Sequence, residues 1–203
     1  MEIFIVRHGQ TDWNKEKRLQ GSADIRLNEN GREVAIKTGI ALSGTEIDII
    51  YSSPLKRAYE TACLIRNSRN IQIITDPRLK ELNFGCMEGK CYDELVNDST
   101  LGFRYFFDKP QLYFPSEDGE TLTHLICRAG EFMKEVIEPL ENTHTRVMIV
   151  AHAAINKGIM SYIKKQPLEG FWSGGLQTNC NVIVVDYTGE KYKIVDETRV
   201  YYK

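Results

Sequence analysis

Apolar residues in this 203-residue chain form short Ile- and Val-rich runs, separated by longer stretches in which they recur every three or four positions. The runs at 2–6, 47–51, 71–75 and 146–151 predict buried strands. Between them, residues 30–42 place Val34, Ala35, Thr38, Ala41 and Leu42 on one helical stripe. A second helix is expected to begin at Ser53-Pro54, an N-cap followed by proline at the first helical position, with Leu55, Ala58, Tyr59 and Ala62 as its apolar face. A third is expected over 120–137, ending before Pro139, and a fourth over 153–164, directly after the strand at 146–151. This alternation predicts an α/β fold, a three-layer αβα sandwich around a mostly parallel central sheet. Residues 182–186 and 191–195 flank Thr188-Gly189 and predict a terminal hairpin, giving the sheet one antiparallel edge strand.

Residues 99–118 break the pattern. Phe103, Tyr105, Phe106, Phe107, Tyr113 and Phe114 crowd a segment that also holds Pro110 and Pro115. Two compatible readings are a packed insertion and a cap over a site, so 90–118 is taken as a small cap or insertion within one domain spanning 1–203. At 42 % apolar residues a chain of this length can bury one sizeable core.

A formal charge of −2 provides no global basic field, which argues against nucleic acid and anionic membranes as partners but leaves room for a local anion pocket. The first apolar run is too short for a signal or membrane segment, so a cytoplasmic protein is expected. The five cysteines lack any CxxC pair and argue against a disulfide framework or a structural zinc site. Monomer and homodimer are both open.

Ligands of parallel sheets bind at the carboxyl ends of strands. Arg7-His8 follows the first strand and Ala151-His152 ends a later one. Ser53-Pro54-Leu55-Lys56-Arg57 places a second arginine in the first turn of a helix, where it is either a surface residue or aimed at the same strand ends. Glu81, between Leu79 and Leu82, is by itself a solvated carboxylate. Together, two histidines, two arginines and one glutamate suit metal-free phosphoryl transfer: arginine clamps phosphate oxygens, histidine is a nucleophile, and a carboxylic acid protonates the leaving oxygen. No HExxH-type motif accompanies the histidines, and neither a metal nor a cofactor is expected. His124 and His144 are assigned no role.

More of the chain joins this set. Val6-Arg7-His8-Gly9-Gln10-Thr11 with Asn14, Leu19-Gln20-Gly21, Leu27 with Gly31, Ser53-Pro54-Leu55-Lys56-Arg57-Ala58 with Thr61-Ala62, Leu79-Lys80-Glu81, Gly85, Glu88-Gly89, Gly119-Glu120-Thr121 with Arg128, and Val150-Ala151-His152 occur in this order. In these motifs, which span nearly the whole chain, the sequence resembles the histidine phosphatase superfamily, in its phosphoglycerate-mutase-like branch. The resemblance implies that His8 becomes phosphohistidine and that Glu81 donates the proton. It implies further that Arg7, Arg57 and His152 hold the phosphoryl oxygens, with Asn14, Gln20 and Gly21 completing the pocket. The family pattern has glycine after the second histidine, where this chain has Ala153; alanine serves there if φ is negative. Glu120 and Arg128 are read as a capping or ion-pair feature.

The resulting expectation is a phosphatase acting on small phosphomonoesters. A cofactor-dependent phosphoglycerate mutase is the alternative enzyme, and a phospho-ligand-binding protein with little turnover is the alternative of another class. Only 31 residues separate Gly89 from Thr121, and they hold few cations, namely Lys90, Arg104 and Lys109. Aromatics dominate that stretch, which favours a phosphatase whose substrate has an apolar or planar portion.

Overall fold

A computed structural model describes residues 1–202. Six strands, β1 Glu2–Arg7, β2 Ile49–Ser52, β3 Gln72–Thr75, β4 Arg146–Ala151, β5 Val182–Thr188 and β6 Lys191–Arg199, form one sheet in the order β3-β2-β4-β1-β5-β6. The pairs β2–β3, β2–β4 and β1–β4 are parallel, whereas β5 runs antiparallel to both β1 and β6. The expected antiparallel edge is therefore a two-stranded hairpin, in which the reversed strand is β5 and β6 forms the rim.

Both faces of β1, β2 and β4 are buried, as continuous apolar strands require, while the edge strands β3 and β6 are half-buried or exposed. Ile3 and Ile5 of β1 face a core that includes Leu125, Phe132, Ile155 and Ile159, while Phe4 and Val6 face a second core with Leu42, Ala62 and Ile65. The first core belongs to α5 Leu122–Phe132 and α6 Ala153–Lys164, the second to α2 Glu29–Ala41 and α3 Lys56–Arg66. Two shorter helices, α1 Asp12–Lys15 and α4 Tyr92–Asn97, lie after β1 and just ahead of the aromatic segment.

Helix α3 begins at Lys56 rather than at Ser53-Pro54, with Leu55 in an extended conformation as its N-cap and no side-chain cap bond. The Ser53 hydroxyl accepts from Leu55 N at 3.3 Å and lies 2.8 Å from His152 Nε2. The third predicted helix is α5 with Thr121 as its N-cap, continued by a π-helical turn over Met133–Ile137.

Because β4 lies between β1 and β2, the chain passes β4's place on its way from β1 to β2 and returns to fill it later. In register, Arg7 sits opposite Ala151. Two segments far apart in sequence thus deliver Arg7-His8 and His152 side by side at one end of the sheet.

Candidate active site

Beyond the carboxyl ends of β1 and β4 lies a cleft lined by Arg7, His8, Asn14, Leu19, Gln20, Gly21, Arg57, Glu81, Ala153 and Ala154, and walled by Phe84, Tyr92, Phe107, Trp172 and Leu176. Eight of the nine residues singled out in the sequence meet there; His152 sits just behind them.

The protonation pattern of the two histidines follows from their partners. His8 Nδ1 is 2.6 Å from the carbonyl oxygen of Gly9, which can only accept, so Nδ1 carries the proton and Nε2 keeps its lone pair. Gly9 holds that carbonyl through a bond from its own N–H to Thr61 Oγ1 at 2.9 Å, and a Cβ here would stand 2.6 Å from the Gly31 carbonyl oxygen. His152 Nδ1 is 3.1 Å from Arg57 Nε, which can only donate, so His152 bears its proton on Nε2 and gives it to Ser53.

Both imidazoles are buried and meet edge to face with ring centroids 5.1 Å apart. Burial, reinforced by Arg57, Arg7 and for His152 also by His8, holds both well below the usual histidine range. At neutral pH His8 therefore presents a neutral, nucleophilic Nε2. A stability effect accompanies this. Below about pH 6.5 the unfolded chain takes up protons at both positions that the folded chain refuses, so the unfolded state binds more protons and stability falls with pH, at up to about 2.7 kcal/mol per pH unit for the pair. Urea unfolding between about pH 7.5 and 5.5 checks this; a midpoint that stays flat would contradict it.

His152, expected to hold a phosphoryl oxygen, packs against His8 at the back of the cleft. Its ring is fully buried and both nitrogens are engaged by protein groups. It orients Arg57, whose side chain is not the surface residue that its place on the helix allowed. Arg57 is fully buried, gives Nη1 to the Ala23 carbonyl and Nη2 to the Gly21 carbonyl at 2.7 Å each, and is pushed down to about 10 by burial, still cationic at neutral pH. With Nε on His152, it retains one free N–H on each Nη.

Arg7 donates Nη1 to the Gln177 carbonyl, and its buried Nε has no protein acceptor. The two guanidiniums face one cleft carboxylate, so the cleft is a cationic pocket with unspent donors. Ala153 opens α6 without a positive φ, so alanine is unstrained there, and its N–H makes no hydrogen bond to the described residues. Gln20 is buried with Oε1 unpartnered. Gly21, at φ +53°, leaves the room that Glu88 occupies; a Cβ would fall 2.0 Å from Glu88 Oε1. Glu88 in turn ties down the loop by accepting from the N–H groups of Ser22 and Ala23. Asn14 uses Oδ1 to cap α1 by accepting from Thr11, which holds its amide at the cleft.

Glu81 is held by backbone. Its Oε1 accepts from Leu82 N and Ile155 N, and its Oε2 from Ala154 N at 3.1 Å, so it caps α6, which has no side-chain cap of its own. The loop bearing it is pinned by Arg128, which donates to the carbonyls of Arg78, Lys80 and Glu81 while paired with Glu120 at 2.7 Å. Glu120 and Arg128 thus form the expected ion pair and act on the site by fixing Glu81. His124 joins Glu120 at the exposed side, and His144 caps a turn against Thr143.

The sequence reading missed the bed beneath Arg7-His8. Gln177 gives Nε2 to the carbonyls of Ile5 and Asn181, Asn156 donates to Gln177 Oε1, and Asn179 donates to the His8 carbonyl. The signal was present as a dense amide run, Gln177-Thr178-Asn179-Cys180-Asn181, just before an apolar strand.

Fold and site together define an α/β protein with a neutral histidine set in a buried arginine pocket, an arrangement built for a phosphoryl group. The chain belongs to the histidine phosphatase superfamily (branch 1), whose family model matches residues 3–198. It is 30 % identical to phosphoserine phosphatase 1 of Hydrogenobacter thermophilus, over 86 % of this chain and 82 % of that one. It is 31 % identical to phosphoglycerate mutase-like protein 4 of Arabidopsis thaliana, over 95 % and 83 %. Among solved structures, Bacillus stearothermophilus YhfR superposes with a TM-score of 0.91 at 33 % identity, covering 100 % of this chain and 99 % of that one. No described helix is long and apolar enough to cross a membrane.

Proposed function

We propose that this protein is a phosphatase that hydrolyses small-molecule phosphomonoesters through a phosphohistidine on His8, with no metal or cofactor. The observation that carries this reading is the Gly9 carbonyl on His8 Nδ1, which leaves Nε2 as the neutral nucleophile beside two buried arginines. In the first step Nε2 bonds to phosphorus, the ester P–O bond breaks, and a proton on Glu81 passes to the leaving oxygen. The Gly9 carbonyl then stabilises the positive charge that the ring gains. In the second step water attacks phosphorus, Glu81 takes its proton, and the N–P bond breaks to free phosphate. Arg7, Arg57 and the Ala153 N–H hold the equatorial oxygens, which is the main contribution a protein makes to such a transfer. Asn14, Gln20 and Gly21 line the rest of the pocket, and His152 acts by aligning Arg57.

The alcohol side of the substrate meets Phe84, Tyr92, Phe107, Trp172 and Leu176. Trp172 is fixed by a bond from Nε1 to the Phe106 carbonyl. Residues 90–118 supply Tyr92 and Phe107 and serve as the cap. The cleft lining holds no lysine, and its arginines belong to the phosphoryl pocket, so a second acidic group on a phosphoglycerate lacks a partner. This disfavours mutase chemistry and favours monoesters with a planar or apolar alcohol.

In a panel of monoesters, kcat/KM for aryl phosphates should exceed that for phosphoserine and 3-phosphoglycerate by about 10–100-fold, with phosphate released at each turnover. Interconversion of phosphoglycerates without phosphate release would establish the mutase instead. Bound phosphate with no turnover on any monoester would establish a binding protein.

A further inference from the structure

Next to Gln177, whose carbonyl accepts from Arg7, residues of α6, β5, β6 and 174–178 line a cavity of about 330 Å³ that is open on one side. Its lining includes Lys157, which is 6 % exposed. The Lys157 ammonium makes one hydrogen bond, to the Ser173 carbonyl at 2.7 Å. The carboxylate that shares the cavity, Glu197, already receives Lys164 on both oxygens at 2.8 and 3.0 Å. Lys157 is thus a largely buried cation with two N–H groups to spare and no ion pair among the described residues, free to take an anion that enters the cavity. Burial accordingly pushes Lys157 down.

Asn181 also lines the cavity, but its Nδ2 donates to the Arg199 carbonyl and its partnerless Oδ1 is sealed by protein. The ligand class is therefore set by the free donors of Lys157, which match a small oxyanion.

The wall toward the active site is thin. Leu176 lines both spaces, and the carbonyl of its neighbour Gln177 is the acceptor for Arg7 Nη1. We propose that this cavity is a second, non-catalytic site for a small oxyanion, with inorganic phosphate as its simplest occupant, and that occupancy reaches the reaction through Gln177 and Arg7. The existence of the site stands independently of the phosphatase reading; only the idea that the occupant is also the enzyme's product rests on that reading.

Equilibrium dialysis with radiolabelled inorganic phosphate tests it on the intact chain. Wild type should bind two phosphates, while Lys157→Met, which removes the charge, and Thr198→Trp, which fills the cavity from its exposed rim, should each bind one. In steady-state kinetics phosphate should lower kcat as well as raise KM for wild type, and only raise KM for the variants. One phosphate on wild type and none on the variants would uphold the cavity site and remove the cleft as a phosphate pocket. Equal stoichiometry in all three proteins would overturn the proposal. Thr198→Trp keeps the test decisive if Lys157→Met fails to fold.

Discussion

Replacing His8 with alanine is expected to lower kcat by at least about 10³-fold for every monoester and to abolish the acid-labile phosphoenzyme. A single hydrogen bond sets this expectation. Because the Gly9 carbonyl fixes the proton on Nδ1, Nε2 is the nitrogen available to phosphorus, and no other unengaged imidazole reaches the cleft. Phosphate should still bind, since Arg7 and Arg57 are held by Gln177, Gly21 and Ala23 rather than by His8. The same variant should lose about half of the pH dependence of stability, because one of two histidines that resist protonation has been removed. Labelled phosphoenzyme surviving in the variant would refute the assignment of the nucleophile.

The second large effect is expected at Glu81. In Glu81→Gln, kcat for alkyl phosphates should fall by about 10²–10⁴-fold, since a poor leaving oxygen needs its proton. With p-nitrophenyl phosphate, whose leaving group departs unprotonated, the first step should survive while hydrolysis of the intermediate lacks its base. Rapid mixing should then show a burst of p-nitrophenol followed by a slow phase, with phosphoenzyme accumulating. Glu81→Ala should in addition cost about 1 kcal/mol of stability, because the carboxylate accepts the Ala154 and Ile155 N–H groups at the start of α6. Loss of the burst and of slow turnover together would mean that Glu81 only caps the helix.

Much of this molecule was legible in local pattern. The strand ending in Arg7-His8 and the helix at 153–164 are found where the period of apolar residues puts them. The start of α3 was not, because Ser53 reads locally as an N-cap while its hydroxyl is shared between Leu55 N and a histidine 99 positions away, and the helix begins only at Lys56. Arg57 illustrates the same limit. Helical geometry points it off the apolar stripe, and only the loop carbonyls of Gly21 and Ala23 with His152 make full burial of a guanidinium tolerable.

The α/β alternation, the family, and the residue types capable of moving a phosphoryl group depend on side-chain period and chemistry alone, and so can be read along the chain. The division of labour among those residues arises only in the folded molecule. Insertion of β4 between β1 and β2 set the two histidines edge to face, gave each a different hydrogen-bond partner, and so left one with a free nitrogen and made the other a brace. Proton placement on an imidazole depends on which atoms lie within 3 Å or so of each nitrogen, and those atoms come from distant segments that only the folded chain brings together.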